Sequence, residues 1–343
     1  MHPQIRVWRG REILIAAVGS LPRAGLKTVF GTYRLLLASL VALSHYGLVV
    51  RGFHPGQWAV LSFYVISGFL MERLFRKIPS PGGWFIFYCD RFLRIYPLYA
   101  IITLATLAID PSGRRWFLEN LLLIPLNYGE FNGAHSTIGP AWSLACEVQF
   151  YMLVPLLASA RTQFLRFLCS TSVAVFCISP WLRHSTFWAY IALPGILFAF
   201  LTGMLLSRGD FGFLRKLWIV FAILLVVFAA SKILTHGMRT GIHLNVCIGY
   251  LIALPTALRL SRLSPDVSWD RMLGLLSYPL FLVHELVRKC MNVFFHDPGM
   301  PFLLLAALFA SLILVLCVEI PFDSLRYRLR KRLMLGRSLS GLA

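Results

Sequence analysis

Four polar residues stand where an apolar helix tolerates them least. In "YRLLLASLVALSH" (33–45), Arg34 and His45 bracket an apolar run, and "GPAWSLACEVQFYMLVP" (139–155) carries Glu147 and Gln149 inside another. A charge deep in hydrocarbon costs at least ~2.5–3.5 kcal/mol on insertion scales, so each asks for a reason to be there. On a helix, Arg34 and His45 share one face, three turns and ~20° apart, and are separated by ~16 Å along the axis. Arg34 is then near the cytoplasmic end, with His45 ~8 Å below the outer surface. A helix entering from outside puts Glu147 ~9 Å below that surface, so the spacing predicts it beside His45. A carboxylate that orients an imidazole makes a general base. A His–Glu pair that only joins two helices gives the same pattern, and Arg34 read alone is equally a snorkelling anchor.

A third cluster is "FYCDRFLRIYPLY" (87–99), where Arg91 and Arg94 share a helix face. Two guanidiniums there can clamp phosphates bidentately. Arg73, Arg76 and Lys77 crowd the preceding loop and read as topology anchors. Ser67 and Gly68, mid-span in "SFYVISGFLMERL" (62–74), read as a close-packing pair, with room for a thin acyl carrier as the alternative. In "LSYPLFLVHELVRK" (276–289), His284 and Glu285 are each four residues from a cation, Arg288 and Lys289, and local pairing is the expectation. Glu319, just before Pro321, reads as interfacial. The loop "NYGEFNGAHSTIG" (127–139) has no lysine or arginine and offers Asn132 and His135; this suits a hydroxyl-rich ligand and is also ordinary loop composition.

The elements that must position these groups are membrane helices. The chain has 343 residues, 58% of them hydrophobic and only 14% charged, with a mean hydropathy of +0.73. The expected fold is an all-α integral membrane protein with about ten transmembrane helices: 29–50, 57–74, 87–109, 141–158, 165–183, 187–206, 217–234, 242–260, 272–295 and 302–320. The apolar piece 116–128 contains Glu119, Asn120 and Pro125, is too short to cross, and is expected to be re-entrant or interfacial. The organisation expected is a basic tail (1–28), a membrane domain (29–320) and a second basic tail (321–343), with no soluble domain.

The net charge of +19 would suit nucleic acid in a soluble protein. Here most of the 33 basic residues fall on one side of the ten-span arrangement, which the positive-inside rule explains. Both termini are therefore expected in the cytoplasm, and no nucleic-acid partner is expected. Seven cysteines with no C-x-x-C read as small core residues, and no His/Cys/Asp spacing matches a metal site. The apolar core of "EILIAAVGS" (12–20) is short for a signal peptide, and cleavage is not expected.

Taken together, Arg34 with His45, "FYVISGFL" (63–70), "RFLRIYPLY" (91–99), "PAWSLACEVQFY" (140–151), "LSYPLFLVH" (276–284) and "EIP" (319–321) resemble acyltransferase family 3, membrane O-acyltransferases, across essentially the whole chain. The resemblance is to stand-alone members that decorate exopolysaccharide, O-antigen or lipid-linked oligosaccharide. It implies transfer of an acyl group, usually acetyl, from cytoplasmic acyl-coenzyme A to a carbohydrate hydroxyl, in a multi-pass cell-membrane protein, the bacterial inner membrane being expected. It implies Arg34, Arg91 and Arg94 at the coenzyme, and His45 and Glu147 in catalysis. Trp142, Asn132 and His135 are expected to bind the acceptor. The expected partners are membrane lipid and a carbohydrate, free or lipid-linked, with acyl-coenzyme A as co-substrate and no metal. The alternative is a proton-coupled exporter or flippase that uses His45, Glu147, His284 and Glu285 as a relay.

Overall fold

A chain this apolar must satisfy its backbone N–H and C=O groups internally, and helices do so within one segment. The computed structural model describes residues 30–78, 82–133, 135–234, 240–263, 268–296 and 298–340. Among them there is no strand, only an isolated bridge between Val50 and Phe53. In chain order the longer helices are α1 (Phe30–His45), α2 (Pro55–Arg76) and α3 (Gly83–Ile109). After two short helices, α4 (Phe117–Leu122) and α5 (Gly129–Asn132), come α6 (Ala141–Ser159), α7 (Thr162–Ile178), α8 (Leu193–Ser207) and α9 (Phe211–Leu234). The chain closes with α10 (Gly241–Arg262), α11 (Ser268–Phe294), α12 (Met300–Leu314) and α13 (Ile320–Ser340).

Eight helical segments among the described residues are long and apolar enough to cross a membrane. Helices α1 and α11 are not among them: α1 has 16 described residues, and α11 carries Asp270, Arg271, Glu285, Arg288 and Lys289. Each of the ten segments expected to span overlaps a long helix, and eight of those helices are long and apolar enough to cross. The N-terminal tail lies outside the described residues. The C-terminal tail begins as a continuation of the last span: a π-turn, Val315–Glu319, links α12 to α13 without a break. Pro321 has no N–H to donate, and a wide turn just before it accommodates that missing bond.

The segment 116–128 forms no crossing helix. It breaks into α4 and a 3₁₀ turn (Ile124–Tyr128), interrupted at Leu123, whose φ is +69°. Phe117, Leu118 and Leu122 stay exposed along it, as suits a piece lying at an interface.

Two close helix contacts set the frame of the site. A Cβ on Gly68 would stand 1.9 Å from the Phe200 carbonyl oxygen, and one on Gly203 would stand 2.0 Å from that of Val65, so α2 and α8 meet nearly backbone to backbone. The close packing expected of Gly68 is thus present. Helices α1 and α11 run parallel, with Gly274 against Gly31 at one end and Glu285 beside His45 at the other. Asp270 accepts the N–H groups of Gly31 and Thr32 at 2.9 and 2.8 Å, capping the start of α1 from another helix.

Candidate functional site

A cavity of about 120 Å³ opens between α1, α2, α3, α6 and α11, and Arg34, Arg91, Arg94 and Glu147 all line it. Along α2 it runs from Met71 to Val60, ~16 Å at 1.5 Å per residue. Three of the groups singled out for a coenzyme and one of those singled out for catalysis therefore share one chamber.

Its cations differ in their partners. Arg91 is paired with Asp90, which Arg326 approaches at 3.4 Å, and Arg94 is paired with Glu319. Glu319 is thus buried against α3 and not interfacial as expected; the pairing between α3 and the π-turn draws it inward. Arg34 makes no hydrogen bond or ion pair among the described residues. The Glu147 carboxylate shares its cavity, beyond ion-pair distance, so the guanidinium is open to a further anion.

Glu147 does not lie beside His45. Its Oε1 accepts hydrogen bonds from the Ser67 hydroxyl at 2.6 Å and the Tyr151 hydroxyl at 2.5 Å. The expected pairing fails because the loop before α6, not its helical part, reaches the level of His45. A Cβ on Gly139 would lie 3.4 Å from His45 Cε1, and Glu147 follows two helical turns deeper. The hydroxyl of Ser67, expected for close packing or for passage of a thin acyl carrier, joins α2 to α6 at this depth.

The carboxylate at His45 is Glu285, with Nδ1 and Oε1 3.0 Å apart. A carboxylate accepts, so Nδ1 carries the hydrogen and Nε2 presents its lone pair. The other oxygen of Glu285 accepts from Arg288 at 2.9 Å, and Arg288 also donates to the His45 carbonyl at 3.0 Å. Lys289 pairs instead with Asp110, at 2.7 Å. The local pairing expected within α11 thus persists as an i,i+3 pair, Glu285 with Arg288, while Glu285 also reaches α1 and Lys289 turns to the end of α3. Lys289 and Ser112 hold the Asp110 carboxyl well below the usual carboxylate range, the hydrogen bond from Lys289 being the larger cause.

His284 is wholly buried and lies edge-on to His45, ring centroids 5.1 Å apart. One turn below it on α11, Phe281 lines the cavity and meets Phe63 edge-on at 6.1 Å. The upper end of the cavity thus lies one helical turn from the two histidines. The three residues expected at the acceptor are not gathered there. Trp142 packs on Tyr190, centroids 5.1 Å apart, while Asn132 and His135 are exposed on the segment leading into α6. Glu285 was visible in the sequence as an intramembrane carboxylate; its partner, 240 residues away, was not.

A family model described as "Acyltransferase domain", that of acyltransferase family 3, matches residues 32–322. An "Uncharacterized protein" of Aquifex aeolicus (strain VF5) is 25% identical over 202 residues, which cover 57% of this chain and 91% of that protein. No solved structure matches.

Proposed function

The chain belongs to acyltransferase family 3, and from that premise we propose a membrane O-acyltransferase that moves an acyl group, acetyl by default, from cytoplasmic acyl-coenzyme A to a carbohydrate hydroxyl. The topology that goes with this reading has ten spans and both termini inside, in the cell membrane of a bacterium. The acceptor is an exopolysaccharide, O-antigen or lipid-linked oligosaccharide.

The observation that carries the reading is Arg34, a cation that lines the cavity with Glu147 and makes no close ion pair among the described residues, beside two arginines that do. Coenzyme A phosphates suit such a cluster. The pantetheine arm would follow the cavity past Ser67 and Glu147 toward Phe281. At the far end His45, oriented by Glu285, takes the proton of the acceptor hydroxyl on Nε2 as that oxygen attacks the thioester carbonyl. The C–S bond breaks, and the coenzyme thiolate takes the proton back from His45. Glu147 serves the donor side in this scheme, not the base. The exporter alternative keeps His45, His284 and Glu285 as a cluster but loses Glu147, which is engaged by Ser67 and Tyr151.

The test is acetyl-coenzyme A binding and slow hydrolysis by the purified chain in nanodiscs, with Arg91→Ala and His45→Ala as variants. Arg91→Ala is expected to lose binding, and His45→Ala to bind without turnover. No binding by the wild type, with or without polysaccharide acceptors, would sink the transferase reading.

A further inference from the structure

At the outer end of α1 and α11, one ring nitrogen each of His45 and His284 and a carboxylate oxygen of Glu285 lie within 4.8 Å of one another. The Nδ1 of His284 is 3.1 Å from the Leu280 carbonyl, which can only accept, so Nδ1 carries the hydrogen and Nε2 is left with a lone pair. That Nε2 is buried and has no hydrogen-bond partner among the described residues. A buried acceptor left unsatisfied is costly, and a group brought to it from outside would relieve that cost.

The surroundings match a metal site in two respects. A metal-ligating histidine almost always donates its other ring N–H to a carbonyl or carboxylate, as His284 does to Leu280. Ligating carboxylates are themselves held by a second group, as Glu285 is by Arg288. Two imidazoles and one carboxylate with a fourth position open form a donor set suited to zinc. We propose that His45, His284 and Glu285 bind a zinc-class divalent cation, and that this ion and the acceptor hydroxyl compete for His45.

The chemistry of the competition is simple. Coordination at Nδ1 of His45 moves its hydrogen to Nε2, and coordination at Nε2 uses the lone pair outright. Either way no base faces the acceptor. The binding itself is independent of the acyl-transfer reading; the competition rests on it. Zinc–ligand bonds of about 2.0–2.2 Å require the donor atoms to draw together, which rotation of the His45 side chain, 35% exposed, can supply. The ion enters from that side, since Glu285 and His284 are buried. Arg288 opposes it by charge. The absence of a metal motif in the sequence is no obstacle, because the ligands come from opposite ends of the chain.

The experiment uses the purified full chain, stripped with chelator and titrated with Zn²⁺ alone or Co²⁺ alone, the latter followed by its visible absorption. Wild type is expected to take one ion per chain. His284→Gln should bind at least 10–100-fold more weakly, the loss of a ligand exceeding that of an outer-shell partner. Arg288→Gln should bind more tightly, which a non-specific surface site would not show. Monodisperse elution and a cooperative thermal transition establish that each variant is folded. Zinc is also expected to stop acceptor-dependent coenzyme A release by the wild type. Wild type that binds no ion, or no better than His284→Gln, overturns the site. Zinc binding without any acyl transfer leaves the site standing and removes the transferase reading; transfer that continues at saturating zinc removes the competition.

Discussion

Thr32 and Asp270 are joined twice: the Thr32 N–H and hydroxyl both donate to Asp270 Oδ1, at 2.8 and 2.6 Å. This bond fixes the height of α1 against α11 and so sets Arg34 at the cavity and His45 at Glu285. Replacing Asp270 with Ala should cost about 0.5–2 kcal/mol, as for other helix caps, read as a lower thermal midpoint. Turnover should fall with it, because both ends of the site depend on that register.

The two carboxylates near the chemistry are expected to separate kinetically. Glu285→Gln keeps size and hydrogen bonding but removes the charge that orients His45, so turnover should drop by about 10²-fold, within the range a positioned base supplies. Donor binding should be unchanged. Glu147→Gln should act on donor binding instead; a turnover loss equal to that of Glu285→Gln would contradict this division.

Arg34→Gln removes the cavity cation that makes no close ion pair among the described residues. A hydrogen bond to a charged group is worth about 1.5–3 kcal/mol, so acetyl-coenzyme A should bind about 10–100-fold more weakly by titration calorimetry. Stability should change little, since no ion pair is broken. Asp90→Asn, by freeing Arg91, is expected to strengthen donor binding.

Away from the cavity, Glu72 is fully buried between Arg208 and the half-exposed Arg76. Arg208 also donates to the carbonyls of Leu157, Ala158 and Ala160 at the end of α6. Arg208→Ala should destabilise by about 3–5 kcal/mol in thermal or denaturant unfolding, because a buried carboxylate loses its main counter-ion. Adding Glu72→Gln should recover part of that loss.

The pairing of Asp110 with Lys289 gives a pH dependence of known sign. Its carboxyl is depressed in the folded chain, so its contribution is present above the unfolded carboxylate value and is lost as pH falls through the lower folded one. The end of α3 should therefore stay tied to α11 through the neutral and mildly acidic range and loosen only in strong acid, read by hydrogen exchange at residues 107–113. Loosening near neutral pH would contradict the pairing.

Much of the site was legible in the sequence because intramembrane charge is rare and costly. Arg34, His45 and Glu147 stood out on that ground, Arg91 and Arg94 as a guanidinium pair, and four of these five line one cavity. Helical periodicity also placed Arg91 and Arg94 on one face. The pairings were not legible. Depth counted from a helix end depends on where the preceding loop lies, and the loop ahead of α6 reaches down to His45, displacing Glu147 from the expected level. Local i,i+4 rules likewise assigned Glu285 to Lys289, whereas close parallel packing at Gly31 and Gly274 brought it to α1. Asp270 gave no signal, since its role requires a helix start more than two hundred residues earlier.

The parallel packing of α1 on α11 also orders events during synthesis. His45 and Glu285 are 240 residues apart, so at 5–20 residues per second the first helix waits roughly 12–48 s for its partner to leave the ribosome. Until then α1 has an uncapped start and an imidazole without its carboxylate. A chain stopped before residue 268 has neither Asp270 nor Glu285 to offer and exposes those groups permanently. The contacts that complete both ends of α1 therefore form only after α11 has been made.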